Sequence, residues 1–258
     1  MTVGRNASIQ WSAPQHPAFA SPDISYELLE RAHPREILRW AAESIDRLAV
    51  ATSFQSSGLV ILHLLQSIKP GLPVLFLDTG FHFDETLAFK ERIANLWDLN
   101  LVELHGEHGT VDEQNQRHGP ELFRRDPDKC CFINKVEPLQ RALKDYDGWI
   151  SGLRRDQSPL RASTPIVEAQ MLAGGDEILK IHPLAGWTRD DVEAYQAEFE
   201  IPTHPLLELG YGSIGCWPCT KPSASNNGDE RSGRWEGFDK TECGIHSMGH
   251  SRESEAEQ

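Results

Sequence analysis

Short unbroken apolar runs alternate along this chain with longer amphipathic stretches. The runs are Leu48-Ala-Val-Ala-Thr52, Pro73-Val-Leu-Phe-Leu77, Asn100-Leu-Val-Glu-Leu104 and Trp149-Ile-Ser151, and their length and bounded ends suit buried strands. Between them the apolar positions take helical spacing: Leu59, Ile61, Leu62 and Leu65 within 57–67, then Leu87, Ile93 and Leu96 within 85–97. Residues 131–143 also read as a helix, although Pro138 puts its continuity in question. Ahead of these, 23–45 carries two short helical patterns. Pro34 opens the second, and Ile37, Leu38 and Ala41 form its apolar stripe. A further helix is predicted over 187–199, with Thr188 and Asp191 spaced as a capping box. Strands alternating with helices imply βαβ units. The expected fold is therefore α/β, a doubly wound, mostly parallel sheet with helices on both faces, followed by an extended C-terminal tail.

The two ends differ from this body. Residues 1–22 are rich in Pro, Ser and Ala and read as a flexible arm, 23–205 as the α/β domain, and 206–258 as a functional tail rich in Gly, Ser, Asn and Pro. Residues 247–258 are polar and are expected to be disordered. No run reaches the roughly 18 apolar residues of a membrane span. The first 22 residues also lack a signal-peptide core. The expectation is a cytoplasmic protein, whose thiols stay reduced. The net charge of −14 argues against nonspecific binding to nucleic acid or acidic membranes. An anionic substrate would need a local basic site, which makes the positions of the arginines informative.

In doubly wound sheets, ligands bind beyond the carboxyl ends of the strands. After the first strand comes Ser53-Phe-Gln-Ser-Ser-Gly58, which suits either a phosphate-binding turn or a plain helix cap. Asp78-Thr-Gly80 follows the second strand, and Asp78 suits either a ribose hydroxyl or a turn. Arg154, Arg155 and Arg161 follow the fourth, as an anion site or a solvated charge cluster. The tail adds Arg231, Arg234, Cys243 and His246.

Cys243 stands outside two cysteine pairs, the adjacent Cys130-Cys131 and the C-x-x-C of Cys216 and Cys219. Four thiols in two pairs are compatible with an iron–sulfur cluster, a zinc site, or buried thiols beside a redox dithiol. Cys243 lies in polar surroundings, which suits a reactive thiol if positive charge reaches it from elsewhere, and equally an idle surface cysteine.

Together these residues resemble the phosphoadenylylsulfate reductase family, specifically its iron–sulfur-containing assimilatory adenylylsulfate reductases. The resemblance runs from about Leu48 to His246. It is carried by Asp78-Thr-Gly80 with Glu85-Thr86, Cys130-Cys131 with Lys135, Gly152-Leu-Arg-Arg155 with Gln157-Ser158, Cys216-x-x-Cys219, and Gly233-Arg-Trp235 followed by Lys240-Thr-Glu-Cys-Gly-Ile-His246. It implies an adenine nucleotide alpha hydrolase-like fold and a [4Fe–4S] cluster on Cys130, Cys131, Cys216 and Cys219. Cys243 would be the nucleophile. Lys135, Arg154, Arg155, Arg231, Arg234, Ser53, Asp78 and His246 would contact the substrate.

The implied reaction reduces adenosine 5′-phosphosulfate to sulfite and AMP, with thioredoxin or a glutaredoxin-like protein as reductant, in sulfate assimilation and cysteine biosynthesis. A homo-oligomer is implied as well. Asn134 departs from the family, where a basic residue commonly precedes the lysine. Phe54-Gln-Ser-Ser57 lacks the Gly-Gly-x-Asp-Ser pattern of ATP pyrophosphatases, which counts against adenylation. The alternatives are a reductase of the 3′-phosphorylated substrate or of both, a cluster-dependent tRNA thiolation enzyme, and a zinc-stabilised binding module.

Overall fold

The computed structural model describes residues 26–223, 230–238, 240–242 and 244–245. The arm 1–22, Cys243, His246 and the end 247–258 lie outside the described residues. After α1 (Tyr26–Leu29), α2 (Pro34–Ser44) starts on a capping box made by His33 and Glu36, and it buries Ile37, Leu38 and Ala41. Then β1 (Leu48–Ala51), α3 (Ser56–Gln66), β2 (Val74–Leu77), α4 (Asp84–Leu96) and β3 (Leu101–Leu104) step outward as βαβ units.

The chain next crosses through α5 (Val111–His118), α6 (Leu122–Arg125), α7 (Pro127–Cys131) and α8 (Glu137–Leu143) to β4 (Gly148–Ser151), which pairs with the other side of β1. A hairpin of β5 (Val167–Met171) and β6 (Glu177–Ile181) follows, then α9 (Arg189–Glu198) and α10 (Pro205–Glu208). The strand order is β3-β2-β1-β4-β6-β5, parallel except for β5 against β6. The doubly wound α/β expectation holds, with two strands more than the sequence reading assigned. Connections leave β1 and β4 in opposite directions, and the crevice at that switch point is where such sheets hold ligands.

The helix expected over 131–143 is continuous in course but not in type. Between α7 and α8, Phe132–Val136 form a π-helical turn. Pro138 has no N–H for the preceding turn and its ring crowds the carbonyl there. The wider π turn just before it absorbs that mismatch. A side chain on Gly106 would stand 2.6 Å from the Ile133 carbonyl oxygen of this turn.

Candidate active site

Crowding shapes the loop that leaves β1. Phe54 adopts a left-handed backbone, φ 56°, which drops its ring fully into the core, edge-on to Phe76. A side chain at Gly58 would stand 2.2 Å from Thr52 Oγ1, and one at Gly152 3.2 Å from Ser57 Cβ. The ends of β1 and β4 therefore meet the first turn of α3 almost backbone to backbone. The side chain of Gln55, just before that helix, does not cap it. It exchanges two hydrogen bonds with Ile214 instead, receiving the Ile214 N–H at 2.7 Å and donating to its carbonyl at 2.8 Å. This ties the tail to the loop and leaves the helix N-terminus suited to an anion.

These elements enclose a cleft of about 900 Å³. Its cationic residues are Lys135, Arg154, Arg161, Arg189, Arg231 and Arg234, with Ser53 beside them. In a chain of net charge −14, such a gathering marks a site for an anion. The arginines are not equivalent. Arg154 is buried and its fork is filled, by Asp156 at 2.9 Å, Ser57 at 2.6 Å and Glu230 at 3.0 Å. Arg161 grips the Glu242 carboxylate in a bidentate pair at 2.8 and 2.6 Å, and Arg231 reaches the same carboxylate at 3.1 Å.

Arg234 lies over the Trp235 ring at 4.4 Å and donates to Ser213 at 3.3 Å, while its buried Nε has no hydrogen-bond partner. It is delivered by an antiparallel bridge to Thr220, directly after the C-x-x-C. Gly215 and Gly233 make room for this: a side chain on either would stand 2.3 Å from Arg234 Nη2 or 2.1 Å from the Lys221 carbonyl oxygen.

Next to the cleft lies a small apolar cavity walled by Phe81, Phe123, Trp235 and all four paired cysteines. Lys135 lines both spaces. Cys130 and Cys131 are buried, Cys216 and Cys219 half-buried, and none forms a disulfide. Burial and the other three sulfurs push Cys130 up to about 12. Thiols crowded in this way ionise together only around a cation. Among the described residues, the only three metal-binding side chains whose donor atoms lie within 4.8 Å of one another are Asp78, Glu103 and His105. No three of the cysteine sulfurs therefore lie mutually within 4.8 Å, whereas tetrahedral Zn–S bonds of about 2.3 Å would hold all four about 3.8 Å apart. The donor set and its spacing fit a group larger than one ion.

Asn134, where sequence suggested a lost basic charge, is buried and locked. It accepts from His108 at 3.0 Å and donates to Gln114 at 2.6 Å. The same amide nitrogen sits 2.9 Å from the Cys130 carbonyl oxygen and 3.6 Å from its sulfur.

Two residues expected to contact substrate do not line this cleft. Arg155 does not line the cleft; it pairs with Glu30 at 2.6 Å and with the Thr164 carbonyl at 2.7 Å. The backbone at Arg154 is extended, so neighbouring side chains point opposite ways and only Arg154 turns inward. Asp78 also stays outside the cleft. It accepts the Gly80 N–H at 2.9 Å, and the loop it shapes supports the C-x-x-C. Thr79 Oγ1 lies 3.3 Å from Cys216 Sγ, and the Phe81 carbonyl accepts the Trp217 N–H at 2.8 Å. Sequence reasoning passed over Arg189, whose place at the start of an amphipathic helix gave no signal; it grouped Arg161 with Arg154 and Arg155 as a candidate anion site but named no substrate contact for it.

The tail around position 243 is held on both sides. Lys240 pairs with Asp128, Glu242 with Arg161 and Arg231, and Ile245 packs against Val136 and its apolar neighbours.

Residues 47–222 match the phosphoadenosine phosphosulfate reductase domain. The chain belongs to the phosphoadenosine phosphosulfate reductase family. Within it, the chain is 45% identical over 222 residues to the adenosine 5′-phosphosulfate reductase of Streptomyces coelicolor, covering 84% of this chain and 90% of the relative. It is 37% identical over 235 residues to that of Mycobacterium tuberculosis, covering 85% and 91%. Among solved structures, the phosphoadenylyl-sulfate reductase of Candida auris, in a phosphate complex, shares 33% identity at a TM-score of 0.67 over 76% of this chain and 94% of that one. The FMN adenylyltransferase of Candida glabrata, at 16% identity and a TM-score of 0.55 over 83% and 69%, shares the fold of this reductase family.

Proposed function

We propose that this protein reduces adenosine 5′-phosphosulfate to sulfite and AMP. The observation that carries the reading is the adjacency of the two spaces. A cationic cleft beyond the strand ends opens beside a four-cysteine cavity, with Lys135 lining both. Curated relatives at 37–45% identity carry the name of this activity. Cys130, Cys131, Cys216 and Cys219 would hold a [4Fe–4S] cluster, whose contribution is structural and electrostatic. Wide sulfur spacing and apolar walls support that group over zinc.

In the mechanism, the nucleotide lies across the ends of β1 and β4, its phosphosulfate toward Ser53, the start of α3 and the arginines. Arg234, which lines the cleft and lies over the Trp235 ring, takes a sulfate or phosphate oxygen. The Cys243 thiolate attacks the sulfate sulfur; the S–O bond to AMP breaks, and AMP leaves with the bonding pair. A Cys243 S-sulfocysteine remains. The surrounding cations, Lys135 among them, stabilise charge on the departing phosphate. A thioredoxin or glutaredoxin-like dithiol then attacks the Cys243 sulfur and releases sulfite. Its second thiol resolves the mixed disulfide, so the two electrons come from the reductant. His246 belongs to the substrate-contacting set implied by family resemblance. A cytoplasmic site and a homo-oligomeric state belong to the same reading. No helix among the described residues is long and apolar enough to cross a membrane.

Steady-state kinetics with both nucleotides tests the substrate. The expected result is a higher kcat/KM for adenosine 5′-phosphosulfate than for its 3′-phosphorylated form, and the reverse order sinks the reading. Visible absorption of the purified protein distinguishes a brown cluster from colourless zinc. Arg234→Ala should raise KM for the nucleotide by the equivalent of about 1.5–3 kcal/mol, the worth of a charge-assisted hydrogen bond. An unchanged KM and kcat would remove Arg234 from the site.

A further inference from the structure

At the end of β4, under the floor of the cleft, four polar side chains form a continuous chain, three of them buried and Glu168 half-buried. Ser151 Oγ lies 2.8 Å from His182 Nδ1, His182 Nε2 lies 3.1 Å from Glu168 Oε1, and the same carboxylate lies 2.8 Å from Lys180 Nζ. Ser151, Lys180 and His182 are 2%, 1% and 0% exposed, and Ser151 lines the cleft. A serine, a histidine and a carboxylate in this order look like a nucleophile and its base. The electrostatics run the other way. Lys180 balances the carboxylate, and burial pushes His182 down to about 4, too weak a base to activate a hydroxyl at neutral pH. What the chain does fix is the position of each proton. An ionised carboxylate only accepts, so His182 Nε2 carries the imidazole hydrogen. The other nitrogen of a neutral imidazole is then bare. The only hydrogen available to fill the 2.8 Å contact is the Ser151 hydroxyl's own. Toward the cleft, Ser151 Oγ therefore has lone pairs alone.

We propose that Ser151 is a specificity-determining residue of the cleft, a hydroxyl locked as an acceptor by His182, Glu168 and Lys180 that selects a hydrogen-bond donor on the adenosine, either a ribose hydroxyl or the exocyclic amine. The proposal rests on the reading of this cleft as a nucleotide site. Ser151 pairs in register with Ala51 of β1. It thus sits between the anion-binding end, marked by Ser53 and Ser57, and the apolar wall of Leu75 and Leu77. A group that only accepts meets lone pairs there with no proton between them, and is rejected. This gives Ser151 the donor-reading task that sequence suggested for Asp78.

Calorimetric titration of the full-length protein with AMP, 2′-deoxy-AMP, 3′-deoxy-AMP and purine riboside 5′-monophosphate tests it. The native protein should bind one of the three analogues about three- to tenfold more weakly than AMP. Ser151→Ala should bind that analogue and AMP alike, and Ser151→Thr should restore the difference. The analogue affected identifies the donor. Equal losses in the native protein and Ser151→Ala, or no loss with any analogue, overturn the proposal. Nitrogen NMR of the imidazoles checks the lock without any variant. A neutral His182 with a bare Nδ1 at pH 7 supports it, and a protonated Nδ1 overturns it even if Ser151→Ala does not fold. Failure of AMP itself to bind the native protein would instead bring down the nucleotide-site reading, and the proposal with it.

Discussion

Cys243→Ser should lose turnover by about 10⁴-fold or more, the scale on which enzymes lose rate when their nucleophile is removed, while keeping its colour and iron. Cys219→Ser should do the opposite in kind: it should lose iron, and stability with it, because ligand binding and folding are coupled. Cys219 shares the apolar cavity with Cys130, Cys131 and Cys216 and directly precedes the bridge that delivers Arg234, so its loss would disturb the proposed cluster and the cleft together. Cys243 belongs to neither pair, and a serine hydroxyl is far less nucleophilic than a thiolate at neutral pH. Protein incubated with adenosine 5′-phosphosulfate in the absence of reductant should gain one SO₃ on the peptide carrying Cys243. Iron loss in Cys243→Ser equal to that in Cys219→Ser, or the added mass on another peptide, would reverse the assignment of the five cysteines.

The parts legible in the sequence were those where one residue type has one physical use. Apolar runs gave β1 to β4, and Pro34 and Thr188 marked true helix starts. The β5–β6 hairpin escaped because its strands carry the half-buried Glu168 and the buried polar residues Gln170 and Lys180, which break the apolar pattern. Gly174-Gly175 between them, both at positive φ, was the available hairpin signal. Motifs were legible as motifs, but not in their division of labour. Asp78-Thr-Gly80 looked like a ligand contact, and in the fold its Thr79 also lies beside Cys216 of the C-x-x-C. Arg154 and Arg155 looked like twins, yet backbone geometry sends them to opposite sides. Which arginine keeps a spare donor depends on Asp156, Glu230 and Glu242, and that pairing is set by the fold rather than by spacing.

Acid should unfold this protein well above the pKa of its carboxylates, because two buried histidines refuse protons. Burial lowers both His182 and His204 to about 4, and both are 0% exposed. His204 accepts the Leu206 N–H at 3.2 Å and meets Thr86 Oγ1 at 3.0 Å, an arrangement that suits the neutral ring. In the unfolded chain imidazole titrates near 6.5, roughly its model value. The stability these groups provide is thus fully present above about pH 6.5 and is lost as pH falls toward about 4, since only the unfolded chain takes up the protons. Each histidine contributes a loss of about 1 kcal/mol by pH 5.5 and about 3 kcal/mol by pH 4. Glu168 adds a later loss. Burial alone would raise its pKa, but the hydrogen bond from His182 and the Lys180 charge hold it down to about 2. Its share is therefore lost below about pH 4.3, the unfolded value. Against a total stability of about 5–15 kcal/mol, the two histidines alone should shift urea midpoints strongly between pH 7 and 5. His204→Asn keeps an acceptor for the Leu206 N–H but cannot titrate, so its midpoint should fall less steeply over the same range. A native midpoint that stays flat from pH 7 to 5, or a variant that falls as steeply as the native protein, would show that these rings do not govern the acid transition.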